Sequence, residues 1–386
     1  MNTVVNNKKE IRIGLLGCGF MGKVHSHAYR TIKHKYNELG FVPKLYAIAG
    51  LGRKSTASAA AQYSFEKWTT DWKEIVHDPN VDVIDICLPE DMHEQVCIES
   101  LKANKHVFCE KPLALSVQSC KRIMEIAKNK NVKKMCGFNY RFLPAIRFAK
   151  EIIDSGLIGK IYYIGANYSQ ESGHDPERPA DQIRYINGKE PLGTIRGLGS
   201  HLIDTVRYLC GDIYSVNAIV KTMIPNRPLT KGGNFSVSAD DIAILNIELK
   251  DGGIGTLMTS AVATGRKNQL AFEINGSSGS LSFNLENLNV LSVYIEENCP
   301  KSLRGFSKIN VTEDSHPLTK HWWPPAHIIG WESGHINELY YFLDSVYGDK
   351  RISPIGATFI DGYFTALVAE SAFKSTKLEK KIYLDY

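Results

Sequence analysis

Two stretches of the chain combine residue types that can do chemistry at a spacing that would let them act. The first is Gly17-Cys18-Gly19-Phe20-Met21-Gly22, set between the apolar run at 11–16 and Met21, Val24, Ala28 and Ile32 recurring at helical spacing. In such a strand–turn–helix the first glycine permits the tight turn, the second lets a pyrophosphate approach the main chain, and the third lets helix and strand pack closely. The start of the helix offers unpaired N–H groups to the phosphates. Gly17, Gly19, Phe20, Met21 and Gly22 are therefore expected to form a dinucleotide cradle. The next strand, at 44–49, should end in a carboxylate if the ribose 2′-hydroxyl of NAD is to be held that way. It runs instead into Gly50-Leu51-Gly52-Arg53-Lys54-Ser55, so Arg53 and Lys54 are candidates to pair with the 2′-phosphate of NADP. The expected cofactor is NAD or NADP, with a lean to NADP. The second stretch, His106-Val107-Phe108-Cys109-Glu110-Lys111-Pro112, puts a carboxylate and an ammonium at the carboxyl end of an apolar strand. Open α/β sheets bind their ligands there, and a lysine so placed can hold a substrate hydroxyl and assist proton transfer.

These residues need a scaffold, and the pattern of the chain supplies one. Apolar runs at 11–16, 44–49, 81–88, 106–109 and 134–137 alternate with helical patterns, the mark of parallel strands joined by crossover helices. Beyond about residue 140 the texture changes. A helix over 144–155 precedes strand-like stretches at 161–168, 214–222, 242–249, 255–260, 269–275 and 279–283, separated by glycine-rich turns that suit antiparallel hairpins. A helix at 199–209 interrupts them and a final helix covers 356–377. The fold class expected is α/β: an amino-terminal doubly wound Rossmann sheet over 1–138, then an α+β domain with a large, mostly antiparallel open sheet over 139–386. The length of 386 residues suits two domains.

Beyond these two stretches, Cys87-Leu88-Pro89 with His93 four residues on, Gly137-Phe138-Asn139-Tyr140-Arg141 and Gly199-Ser200-His201-Leu202-Ile203-Asp204 complete an ordered series. In this series, including Glu110-Lys111-Pro112, the chain resembles the glucose–fructose oxidoreductase / inositol dehydrogenase (Gfo/Idh/MocA) family along nearly its whole length. The stretch from Trp322 to Glu332, Trp-Trp-Pro-Pro-Ala-His-Ile-Ile-Gly-Trp-Glu, resembles the levoglucosan-dehydrogenase-like branch of that family. The resemblance implies hydride transfer between a nicotinamide and a sugar or cyclitol carbon, and a sheet domain whose outer face makes a homodimer or homotetramer. It implies that Glu110 and Lys111 lie near the nicotinamide ribose, with Lys111 on the reacting hydroxyl and catalytic. Leu88, Pro89 and His93 would line the cofactor, and Asn139 would sit at its nicotinamide end. His201 would be the acid/base and Asp204 a substrate or orienting contact; their i, i+3 spacing on a helix independently puts both on one face. One position departs from the family: the aspartate usual four residues before this histidine is Gly197 here, with Arg196 beside it. Either His201 and Lys111 suffice, with a carboxylate from Glu171, Asp175 or Asp181, or the usual alcohol oxidation is altered. Arg196 either recognises a substrate phosphate or carboxylate or points to solvent.

Gln170 and Arg184, in the polar loop that follows the first strand of the second domain, are candidate sugar contacts. Trp322, Trp323 and Trp331 either stack on a sugar ring or pack in the fold. His25 and His27 are two residues apart and do not share a helix face, and no other histidine, cysteine and carboxylate group has metal-ligand spacing, so no metal is expected. The excess of 46 Lys and Arg over 41 Asp and Glu is small and spread, unlike the basic stripe of a nucleic-acid binder. No segment approaches the ~18 apolar residues of a membrane span, and eight scattered cysteines read as reduced core residues. The expectation is a cytoplasmic NAD(P)-dependent sugar or cyclitol oxidoreductase. The alternatives are glycoside cleavage or epimerisation through transient oxidation, or a non-catalytic ligand sensor.

Overall fold

The computed structural model describes residues 8–36, 38–183, 192–297 and 299–385. Six short apolar strands open the chain: β1 (Lys9–Leu16), β2 (Phe41–Ala49), β3 (Lys67–Thr69), β4 (Val83–Ile86), β5 (His106–Glu110) and β6 (Lys134–Gly137). All neighbours pair in parallel, in the order β3-β2-β1-β4-β5-β6. That is the doubly wound order whose strand sequence reverses beside β1, opening a crevice at the carboxyl ends of β1 and β4. Helices α1 (Phe20–Lys35), α2 (Arg53–Tyr63), α3 (Trp72–Val76), α4 (His93–Lys102) and α5 (Val117–Lys128) make the crossovers. A strand covered on both faces reads as a continuous apolar run. All four residues of β4 are buried, and one of them, Asp85, is a carboxylate.

A second sheet of nine strands follows. Its strands are β7 (Ile161–Ser169), β8 (Ile213–Lys221), β11 (Ile242–Leu249), β12 (Ile254–Ser260), β13 (Gln269–Gly276), β14 (Gly279–Asn284), β15 (Val290–Ile295), β16 (Ser307–Asn310) and β17 (Ile382–Tyr383); β9 (Asn226–Pro228) and β10 (Asn234–Ser236) form a separate ribbon. The order is β16-β15-β14-β13-β7-β12-β11-β8-β17, antiparallel throughout except between β7 and β12. Alternation makes one face the core: Ala243, Leu245, Ile247 and Leu249 of β11 and Leu270, Phe272 and Ile274 of β13 are all buried. Helices α6 (Pro144–Asp154) and α8 (Gly199–Cys210) pack on this sheet, and α7 (Gly193–Gly197) leads into α8. The seat of α7 is specific. Asp240 Oδ2 accepts hydrogen bonds from Thr194 Oγ1 at 2.5 Å and the Ile195 N–H at 2.9 Å, and a Cβ on Gly193 would stand 1.8 Å from Asp240 Oδ1.

The chain divides into two compact units, one holding the residues through Ala114, Gln118–Phe142 and Trp331–Asp361, the other holding Leu115–Val117, Leu143–Gly330 and Gly362–Tyr386. Helix α9 (Ser333–Tyr347) thus returns to the parallel-sheet unit. It packs on α1, where Tyr36 stacks on Tyr340 with ring centroids 3.5 Å apart and its hydroxyl donates to Asn337 Oδ1 at 2.8 Å. Helix α10 (Phe359–Leu378) closes the chain before β17. No described helix is long and apolar enough to cross a membrane.

Candidate active site

The glycine turn has the backbone that the spacing predicts. Gly17 sits at φ +110° after β1, and its N–H donates to the Ala49 carbonyl at 2.8 Å. A Cβ on Gly17 would stand 2.3 Å from the Cys87 carbonyl oxygen, and one on Gly22 would stand 2.0 Å from that of Gly17. A Cβ on Gly19, in contrast, would meet nothing within 4 Å. Two of the three glycines are thus required by the protein itself, and the middle one leaves open space. Helix α1 begins with no side-chain cap and no acidic residue in its first turn, so its first N–H groups are left for an anion. Phe20 is exposed, and it stacks on Trp331 at 6.1 Å between ring centroids. Met21 is half-buried.

At the end of β2, α2 begins with Arg53 and again has no acidic residue in its first turn. The Arg53 guanidinium lies over the Trp68 ring, 5.2 Å from its centroid, and both Arg53 and Lys54 are exposed. Leu88 is buried and Pro89 exposed. His93 spans two loops, with Nδ1 2.8 Å from the Pro112 carbonyl and Nε2 3.0 Å from that of Leu88. Both ring nitrogens face main-chain carbonyls and the one that carries hydrogen donates, so His93 braces the two loops that line the crevice. Asn139, in the turn after β6, is buried, and its Nδ2 has no hydrogen-bond partner among the described residues. A buried amide without a partner is costly.

Glu110 ends β5. Its Oε2 accepts the Lys111 N–H at 3.2 Å and its Oε1 lies 3.1 Å from His25 Nε2. Burial alone would raise the pKa of this carboxyl, but the hydrogen bond and charge of His25 overcome it and hold the value at about 2. His25, Asp85 and His335 were not among the residues expected at the site, because spacing along the chain does not connect them. The fold brings the ligand-type atoms of His25, Glu110 and His335 within 4.8 Å of one another, and does the same for His25, Asp85 and Cys87.

His335 sits on α9, buried, with neither ring nitrogen hydrogen-bonded among the described residues. Burial, seconded by the charge on His25, pushes its pKa down to about 3. The folded value lies below the unfolded one, so the folded state refuses a proton that the unfolded chain accepts. The resulting stability is complete above about pH 6.5 and is lost as pH falls toward 3, at roughly 1.4 kcal/mol per pH unit. Between pH 6.5 and 5 the wild type should therefore lose about 2 kcal/mol more than His335→Gln, measured by urea unfolding at each pH. Equal losses in the two proteins would show that His335 takes up a proton in the fold as readily as in the unfolded chain.

In the second unit, His201 and Asp204 lie on α8, both buried, and Tyr168 meets the His201 ring edge-on at 6.0 Å. Gln170 is half-buried, and its Nε2 donates to Asn268 Oδ1 at 2.7 Å, as does the Tyr168 hydroxyl at 2.8 Å. A Cβ on Gly197 would touch Leu192 Cδ2 at 3.3 Å. The three carboxylates considered as substitutes for an acid at Gly197 are each held by neighbours within the second unit. Glu171 is held by Lys267 and by the Gly265 N–H, Asp175 accepts from the Glu177 N–H, and Asp181 from the Thr230 N–H. The Arg196 guanidinium lies over the Phe373 ring at 5.3 Å. Arg184 falls outside the described residues. Trp323 is exposed and Trp322 half-buried, while Trp331 belongs to the other unit, against Phe20.

Residues 11–138 match the oxidoreductase family with the NAD-binding Rossmann fold, and residues 146–282 match the GFO/IDH/MocA carboxyl-terminal domain. The levoglucosan dehydrogenase of Pseudarthrobacter phenanthrenivorans is 34% identical over 96% of this chain and 97% of its own length. The inositol 2-dehydrogenase of Rhizobium meliloti is 26% identical over 96% of this chain and 98% of its own. A solved levoglucosan dehydrogenase in complex with NADH and levoglucosan superposes with a TM-score of 0.93 at 34% identity, covering 98% of this chain and all of that one. The glycine turn, the parallel sheet that carries it and these likenesses agree: the chain belongs to the Gfo/Idh/MocA family of NAD-dependent oxidoreductases.

Proposed function

We propose that the enzyme oxidises a secondary hydroxyl of a sugar or cyclitol to the ketone, and runs the reverse reduction, with Lys111 and His201 in charge of the hydroxyl. The observation that carries this is Lys111 at the carboxyl end of β5, in the same sheet whose β1 ends in the glycine cradle. The nicotinamide, when bound, accepts the hydride leaving the carbinol carbon. The chain's part is to hold the oxygen and move its proton. The Lys111 ammonium donates to the substrate oxygen and stabilises charge growing there, and His201 takes the hydroxyl proton as general base, returning it in the reduction. Asp204, one turn further along α8, orients His201 or a neighbouring hydroxyl, and the amide of Gln170 contacts the sugar. The Asn139 amide donates to the nicotinamide end of the cofactor, Leu88 and Pro89 line its path, and His93 fixes that lining.

NAD is the family's cofactor, and Arg53 and Lys54 extend the reading to NADP, since nothing acidic at the start of α2 repels a 2′-phosphate. Incubation with levoglucosan, inositols and free hexoses, followed by absorbance of the reduced nicotinamide, tests the activity with both cofactors. Arg53→Ala should lower kcat/KM with NADP about ten-fold relative to NAD, or 1.4 kcal/mol. An unchanged ratio would remove Arg53 from 2′-phosphate recognition. Gly197 favours a second reading, transient oxidation leading to epimerisation or glycoside cleavage, which would appear as product formed without net reduced cofactor.

A homodimer or homotetramer is part of the proposal. Met258, Ile244 and Ile219 are cross-strand neighbours on β12, β11 and β8, and Ile254 pairs with Tyr163 of β7. Ile244, Ile219, Ile254 and Tyr163 are all exposed, which makes an apolar patch suited to a second copy. A cytoplasmic location fits the eight cysteines, none of which is in a disulfide.

A further inference from the structure

Behind the Glu110–Lys111 strand end lies a cluster of ionisable groups that the reaction as described does not use. His25 projects from α1, one turn after Gly22, and is fully buried. Its Nδ1 lies 2.9 and 3.1 Å from the two oxygens of Asp85, and its Nε2 lies 3.1 Å from Glu110 Oε1. Asp85 is itself fully buried in β4, and Glu110 is nearly so. A neutral imidazole has one N–H and cannot donate to a carboxylate at each ring nitrogen. Two carboxylates on two nitrogens require both to carry hydrogen, so His25 is an imidazolium between two anions. The Lys111 ammonium follows Glu110 in the chain, giving the order minus, plus, minus, plus from Asp85 to Lys111. Gly137 leaves room for this arrangement, since a Cβ there would stand 2.9 Å from Glu110 Oε1.

We propose that His25 is a positioning residue for the reaction: anchored by Asp85, it clamps one oxygen of Glu110, whose other oxygen holds the Lys111 N–H, and so aims the Lys111 side chain at the substrate. This rests on the reading of Lys111 given above. The alternative use of such a cluster, as a proton relay, does not suit these groups. Burial opposes a proton on His25, but Asp85 beside Nδ1 more than compensates and holds its pKa well above the ordinary value, while Glu110 stays ionised down to about pH 2. Neither exchanges a proton near neutrality. The other groups facing the cluster reinforce this. The Cys87 thiol and Tyr29 hydroxyl are pushed up and stay protonated, His335 on α9 is pushed down and stays neutral, and Glu338, on the same helix, acts on Tyr29. The cluster is a fixed ionic strut. A change of about 1 Å in the aim of a reacting group costs on the order of 100-fold in rate, which sets the size of the expected effect.

The test has one arm that needs no turnover. In the full-length protein with nitrogen-15 histidine, both ring nitrogens of His25 should report the protonated form, unchanged from pH 6 to 9. A neutral His25, titration within that range, or one bound divalent metal per chain that is lost in His335→Ala would overturn the proposal, because a metal on His25, Glu110 and His335 would need a deprotonated Nε2. The second arm compares His25→Gln with the charge-balanced Asp85→Asn/His25→Gln, which keeps the variant falsifiable should the single change fail to fold. Each folded variant should lose about 100-fold in kcat with the Kd for NADH within three-fold of wild type. His25→Gln added to Glu110→Gln should cost nothing further. A folded variant with kcat within two-fold of wild type would overturn the strut. If the wild type itself turns over none of the sugars, the functional reading fails while the nitrogen-15 arm still decides the charge state of His25.

Discussion

Replacing Lys111 with methionine is expected to lower turnover by about a thousand-fold while leaving the affinity for NADH within a few-fold. A positioned acid–base or charge-stabilising group supplies roughly 10²- to 10⁴-fold, and Lys111 is the cation at the carboxyl end of β5, the edge where an open parallel sheet presents its ligands. Methionine keeps most of the stem and its packing but removes the ammonium, so the loss should fall on kcat. Arginine should not rescue it, because a planar guanidinium carries its charge further from the main chain and does not give up its proton. His201→Ala should show a loss of the same kind. Steady-state rates from nicotinamide absorbance, with binding followed by NADH fluorescence, separate the two effects. Turnover within ten-fold of wild type in either variant would remove that residue from the chemistry.

What could be read from the chain and what could not divides along a physical line. The glycine turn, the parallel strands and the helix that carries His201 depend on residues close in sequence, through turn chemistry and periodicity, and they stand where the patterns put them. Helix α9 was not among the expected elements, although its pattern was legible: Ile336, Leu339, Phe342 and Leu343 recur at helical spacing and are buried. Its return to the first unit was not legible, since its partners on α1 lie about 300 residues away in the chain. The same applies to the ionic cluster. His25 stood in the sequence beside His27, a pair without a common face, while its real partners Asp85 and Glu110 come from two strands of the sheet 60 and 85 residues on. Short edge strands such as β3 and β16 escaped for another reason, because exposed strands with little alternation carry weak patterns. Arg196 shows the converse, a charged residue that the sequence offered to a ligand and that the fold lays on Phe373.

The cradle yields the sharper experiment because its three glycines are not equivalent. Gly22→Ala forces a Cβ to within 2.0 Å of the Gly17 carbonyl, a main-chain atom that cannot swing aside, so the turn must open. Thermal stability should fall by the equivalent of about 3 kcal/mol, as overpacking of this kind costs, and cofactor binding should go with it. Gly19→Ala is different. Gly19 has extended backbone angles that any residue adopts, φ −77° and ψ −158°, and a methyl group there meets no atom of the described residues within 4 Å. Nothing in the free protein opposes the substitution, so the melting temperature should stay where it is. On the proposed reading, the space it fills is the one that a pyrophosphate needs to reach the first N–H groups of α1. The Kd for NADH should therefore rise at least 100-fold, about 2.7 kcal/mol, in a protein as stable as the wild type. A drop in stability for Gly22→Ala with unaltered NADH binding in Gly19→Ala would mean that the glycines serve the fold alone and that the dinucleotide lies elsewhere.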